Sequence, residues 1–144
     1  MANEFEFPWV KMMNVTPTVM EPGRLGFTHS PEEIHLSHNK DVNASVLYCL
    51  GEMSGSGVLV LELGAAARDA FVVIKKGSIE YLARASGELT TEASLTQEQR
   101  DRVGQAVQDK SSIEETVPVS IRNAEGAEVA RCEITSLLRP RRPK

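Results

Sequence analysis

The chain has 144 residues, enough for one domain whose core needs neither disulfide nor metal. Hydrophobic residues make up 41% and charged residues 25%, the balance of a soluble globular protein. A net charge of −4 argues against nucleic acid and against anionic membrane surfaces as partners.

In chain order, the opening MANEFEFPWVKMMN lacks a basic region ahead of an apolar one, so no signal peptide is expected. Cys49 and Cys132 sit in apolar segments and read as reduced, buried thiols of a cytoplasmic protein. Residues 1–23, punctuated by Pro8, Pro17 and Pro22, read as a short helix or coil packing on the body. RLGFTHS and EIHLSH read as strands around an SPEE turn.

Next comes VNASVLYCLGEMSGSGVLVLEL, Val42 to Leu63. It is the most apolar run of the chain, and Glu52 is the one charge between Asp41 and Glu62. Its Glu, Ser and Gly interruptions argue against a membrane span. SGSG could turn a hairpin here, and each glycine costs a helix up to about 1 kcal/mol relative to alanine. Helical spacing of Val46, Leu47, Leu50, Met53, Ser54, Gly57, Val58 and Leu61, with Asn43 as N-cap, favours a helix. On that helix Glu52 points away from the apolar stripe, among Ser45, Tyr48, Cys49, Ser56 and Leu59. A solvated face would carry more charge, so a partner or a ligand is expected to cover this one.

Downstream, AFVVIKKGSIEYLARAS reads as one long strand or two, and GELTTEASL as another. TQEQRDRVGQAVQD begins with a capping box, Thr96 and Gln99, and reads as a short helix. ETVPVSIRNAEGAEVARCEITSLL alternates and turns at NAEG, the clearest hairpin. The tail RPRRPK, residues 139–144, reads as basic and frayed. The whole is a single α+β domain over 1–144, with a helix segregated against an antiparallel sheet. HLSH would place His35 and His38 on opposite faces of a strand, and no CxxC or HExxH occurs, so no metal site is expected.

The run N-A-S-V-L-Y-C-L-G-E resembles the central-helix motif of the hotdog-fold acyl-CoA thioesterases, phenylacetate-pathway-like group, which reads His-Gly-Gly-x-x-x-x-Leu-x-Asp/Glu. Asn43 takes the His position, Ala44 and Ser45 the Gly-Gly positions, Leu50 the Leu and Glu52 the acid. VVIKKGSIEYLARASGELTTEASL resembles the same family's next strand pair, with LARA in place of LRPA, and VPVSIRNAEGAEVARCEITSLL resembles its closing hairpin. The likeness covers residues 24–138. It implies a long helix wrapped by an antiparallel sheet. It also implies a homodimer, or a dimer of dimers, paired edge to edge with active sites at the interface.

The resemblance implies an acyl-CoA ligand, coenzyme A being part of the substrate and no separate cofactor. Glu52 would act as base or nucleophile. The backbone N–H groups of Ala44 and Ser45 would polarise the carbonyl at the positive end of the helix, and Asn43 would orient water or carbonyl. Ser56 and Tyr48 would line the substrate face. Lys75, Lys76 and Arg84, with Arg139, Arg141, Arg142 and Lys144 of the tail, would meet the phosphates. Two alternatives stay open: a non-catalytic acyl-CoA-binding hotdog protein, which the absent Gly-Gly favours, and a 3-hydroxyacyl thioester dehydratase using His38 with Glu52.

Overall fold

The computed structural model describes residues 6–143, so residues 1–5 of the N-terminal packing segment and Lys144 of the tail lie outside the described residues. A short helix α1 (Pro8–Met12) leads into strands β1 (Val15–Glu21) and β2 (Arg24–His29), then the long helix α2 (Ala44–Leu63). Strands β3 (Ala70–Tyr81) and β4 (Leu89–Ser94), helix α3 (Gln97–Asp109) and strands β5 (Ile113–Asn123) and β6 (Glu128–Pro140) complete the chain. The six strands form one sheet in the order β1-β2-β4-β5-β6-β3, every neighbour antiparallel.

Alternation builds the sheet. On β5, Glu115, Val117, Val119 and Ile121 are buried while Glu114, Thr116 and Pro118 are not. The buried face receives α2, which touches all six strands. With its following turn, α2 is long and apolar enough to cross a membrane, yet Leu47, Leu50, Val58 and Leu59 are packed into the core of this sheet. Its glycines permit the close seat. A Cβ on Gly51 would collide with the Cys132 sulfur and lie 2.9 Å from Cys132 Cβ, and one on Gly55 would lie 2.8 Å from Ile134 side-chain carbons. SGSG is therefore helix, not hairpin. Leu59, expected beside Glu52, is instead fully buried in the core.

The segment 96–109 belongs to the body. Thr96 and Gln99 form the reciprocal capping box at 3.1 Å each way, and Val103 and Ala106 are buried. Buried Glu115 accepts from Arg102 Nε at 2.5 Å and from Gln99 Nε2 at 3.1 Å. Arg100 Nε donates to both Glu62 oxygens, at 3.0 and 3.1 Å, tying α3 to the end of α2.

Three expectations need correction. Residues 15–21, read as part of a helix or coil, form the edge strand β1; Pro17 is tolerated there because an edge residue needs no second ladder bond. EIHLSH is no strand: Glu33–His35 is a 3-10 turn, and only Leu36 bridges, to Val42. The tail is held as far as Arg141. Arg139 and Pro140 are in β6, Arg141 N–H donates to Asp69 O at 2.8 Å, and its guanidinium lies over Phe71.

Candidate functional site

The start of α2 is fixed by polar bonds from three directions. Asn43 Oδ1 accepts the Ser45 N–H at 2.9 Å, as an N-cap should. Asn43 N–H donates to His35 O at 2.8 Å, and Val42 N–H to Ala85 O at 2.8 Å. From the end of β3, Tyr81 O–H donates to Ala44 O at 3.1 Å. The Ser45 amide is thus spent on its own cap. Among the described residues the Ala44 N–H has no acceptor, so it is the donor left at the positive end of the helix.

Two turns on, the outward face of α2 carries Cys49, Glu52 and Ser56, all half-buried. Ser56 O–H donates to the Glu52 backbone carbonyl at 2.8 Å, so that hydroxyl is spent within the helix. Burial pushes the Cys49 thiol up, the Glu52 carboxylate beside it adds to the rise, and a hydrogen bond with Trp9 of α1 opposes it. Trp9 of α1 therefore meets Cys49, with Glu52 close enough to act on the thiol. Among the described residues, no side chain donates to the Glu52 carboxylate and no cation pairs with it. Glu62, on the same helix, is held by Arg100.

Tyr48 reaches over β3, its hydroxyl standing where Gly77 would carry a Cβ. Lys75, at the bulge of β3, donates to Glu114 at 2.6 Å, and Arg84 to Asp41 at 2.8 Å. Each already holds a carboxylate, and the structure does not bring the two together. His38 is exposed in the turn before Asn43. Among the described residues no group of His, Cys, Asp or Glu could hold a metal.

Two residues entered the site without a sequence assignment. Tyr81 stands directly before the LARA run that carries the likeness of the next strand pair, which was the available signal for it. Trp9, in the Pro-punctuated opening, carried none beyond being the one tryptophan.

Buried His29 and His35 fasten α1. His29 Nδ1–H donates to Met13 O at 2.5 Å, and His35 Nε2–H donates to Met12 O at 2.6 Å. His35 Nδ1 accepts from Glu32 N–H at 2.9 Å, and the two rings meet edge on. His29 Nε2 is buried without a partner, and burial lowers the pKa of this imidazole below its ordinary 6.5.

A family model described as Domain of unknown function (DUF4442) matches residues 1–138. No curated protein matches the chain. Among solved structures, a Pseudomonas aeruginosa protein of unknown function, described as a probable thioesterase, is similar at a TM-score of 0.82 and 18% identity, over 94% of this chain and 89% of that one. A mutant of a thioesterase enzyme from Staphylococcus aureus is similar at 0.75 and 10% identity, over 92% and 98%. A Streptococcus mutans protein bound to acetyl-CoA is similar at 0.69 and 17% identity, over 90% and 92%. These likenesses place the chain in the hotdog fold: a long helix wrapped by a six-stranded antiparallel sheet.

Proposed function

The chain belongs to the family described as Domain of unknown function (DUF4442), and from that premise and the geometry of α2 we propose that it hydrolyses acyl-CoA thioesters at a site completed by a second copy of itself. The observation that carries the reading is the Glu52 carboxylate, half-buried on the outward face of a core helix with no basic partner among the described residues. No ion pair or side-chain hydrogen bond among the described residues gives that carboxylate a structural role. The acetyl-CoA bound to the Streptococcus mutans neighbour supports the ligand class.

Glu52 removes a proton from water as the water oxygen bonds to the thioester carbonyl carbon. Charge develops on the carbonyl oxygen and is met by the Ala44 N–H at the positive end of a helix. Collapse breaks the carbon–sulfur bond, and the departing thiolate takes the proton from Glu52. The products are a carboxylic acid and the free thiol.

One chain cannot supply both groups to one carbonyl. Ala44 and Glu52 are eight residues apart on α2, about 12 Å at 1.5 Å per residue. Tyr48 is the midpoint, and its hydroxyl lies against Gly77 on β3. Antiparallel pairing of two copies along the free edge of β3 would run the two α2 helices in opposite directions, so that Ala44 of one copy could serve the same carbonyl as Glu52 of the other. The edge suits this pairing: β3 is twelve residues long, outermost in the sheet, and exposes Val73 and Ile74. The opposite edge, β1, carries Pro17.

A second reading, acyl-CoA binding without catalysis, is favoured by one observation. With Ser45 N–H spent on Asn43, a single backbone donor remains for the oxyanion. Turnover of short, medium, long and aryl acyl-CoAs by the wild type and by Glu52→Gln decides between them. Hydrolysis that falls about 100-fold or more in Glu52→Gln supports the base assignment. Hydrolysis unchanged by the substitution removes Glu52 from the chemistry, and binding of every substrate with turnover of none supports the second reading.

A further inference from the structure

At the far end of α2 from Ala44, the last turn of α3, the start of β3 and the end of β6 enclose a cavity of about 600 Å³. That volume lies within the range of small-ligand sites. Its floor is apolar, from Ala106, Val107 and Leu138. Its rim carries Arg68, Lys110, Arg141 and Arg142, against Asp69 as the one lining carboxylate. So strong a positive cluster stands out in a chain of net charge −4.

The rim cations differ from most others in the molecule. Arg24, Lys75, Arg84, Arg100, Arg102, Arg122 and Arg131 each hold a carboxylate. Among the described residues Arg68, Lys110, Arg141 and Arg142 hold none. Arg141 is also set in place: its Nε donates to Ala67 O at 3.2 Å, and the guanidinium lies 5.5 Å over the Phe71 ring. Its remaining N–H groups are preorganised donors. Lys110 closes α3 at φ 53°, the left-handed position where glycine is the usual residue.

We propose that this cavity binds a phosphorylated nucleotide, its phosphates on the cationic rim and its base on the apolar floor. The occupant we assign is the nucleotide end of the thioester's carrier, and this assignment rests on the hydrolase reading above. From Glu52 to the end of α2 is eleven residues, about 16 Å. The cavity begins one 3-10 turn beyond, at Arg68. A ligand with its thioester at Glu52 needs a long flexible arm to reach it, which the pantetheine of coenzyme A supplies.

The test is calorimetric titration of the full chain with adenosine 3′,5′-bisphosphate, with inorganic phosphate, ATP and desulfo-coenzyme A as competitors. The variants are Arg68→Glu with Arg142→Glu, and Lys110→Gly, which removes a rim charge while relieving the left-handed strain. Cooperative melting at or above the wild-type temperature verifies that both are folded. Saturable binding is expected in the wild type, weakened about tenfold or more in the double variant and less in Lys110→Gly. The double variant should also raise KM for acyl-CoA.

Absence of binding in the wild type, equal binding in all three proteins, or competition by inorganic phosphate as strong as by the nucleotide would overturn the site. Stronger competition by desulfo-coenzyme A than by ATP supports the carrier as occupant; the reverse overturns that assignment. The two readings fail separately: nucleotide binding without turnover sinks the hydrolase alone, and turnover without nucleotide binding sinks the cavity alone.

Discussion

Seven carboxylates among the described residues hold a basic partner, Asp41 before α2 and Glu62 at its end included, and Glu52 between them holds none. That contrast was half legible in the sequence. One charge in an apolar run is visible by inspection, but its lack of a partner depends on which side chains the sheet brings near. The thiols are poor rivals for the chemistry: burial pushes Cys132 up to about 11 and raises Cys49 as well. Maleimide labelling of the native chain should therefore leave Cys132 unmodified at neutral pH, and labelling after unfolding should reach both cysteines. His29 gives a pH prediction. Its folded pKa is lowered, chiefly by burial, so the unfolded chain takes up this proton near 6.5 and the folded chain only at lower pH. Stability present above 6.5 should be lost as pH falls below it. Melting temperatures between pH 7.5 and 5.5 check this against His29→Asn, whose side-chain amide keeps a donor toward Met13 and whose slope should be flatter.

At the scale of elements, what was readable locally was read. The capping box of α3, the NAEG hairpin and the Asn43 cap are short-range signals, and the structure keeps all three. β1 is hidden in the sequence by Pro17, which lacks an N–H and is followed by a register shift, and only the strand's place at the edge makes the proline harmless. EIHLSH resembles a strand because Ile34 and Leu36 alternate with polar residues, yet Ile34 is exposed and Glu33–His35 closes a 3-10 turn held by the His35 bonds to Glu32 and Met12. Gly51 and Gly55 looked like a cost to the helix. Their reason is the opposing strand, and no local pattern encodes the distance to Cys132 and Ile134. Gly51→Ala should accordingly destabilise the chain by about 1–3 kcal/mol, although alanine is the better helix former. Urea midpoints measure it. Adding Cys132→Ala, which removes the colliding sulfur, should recover part of the loss.

For the whole molecule, the wrapped helix and the expectation of edge-to-edge pairing were legible through the family likeness, and which edge stands open was not, because edge exposure is a property of the assembled sheet. One edge is short and carries a proline; the other is twelve residues long and open. Substituting Val73 or Ile74, both exposed in the single chain, by lysine should leave the monomer folded and shift light-scattering mass toward one copy. The hydroxyl of Tyr81 gives that shift a chemical reading. It ties the end of the open strand to the first carbonyl of α2, so whatever grips the strand also steadies the turn that offers the Ala44 amide. Dilution should then do what a mutation does: specific activity should decline as the protein concentration drops through its self-association constant, and Tyr81→Phe should move that decline to higher concentration.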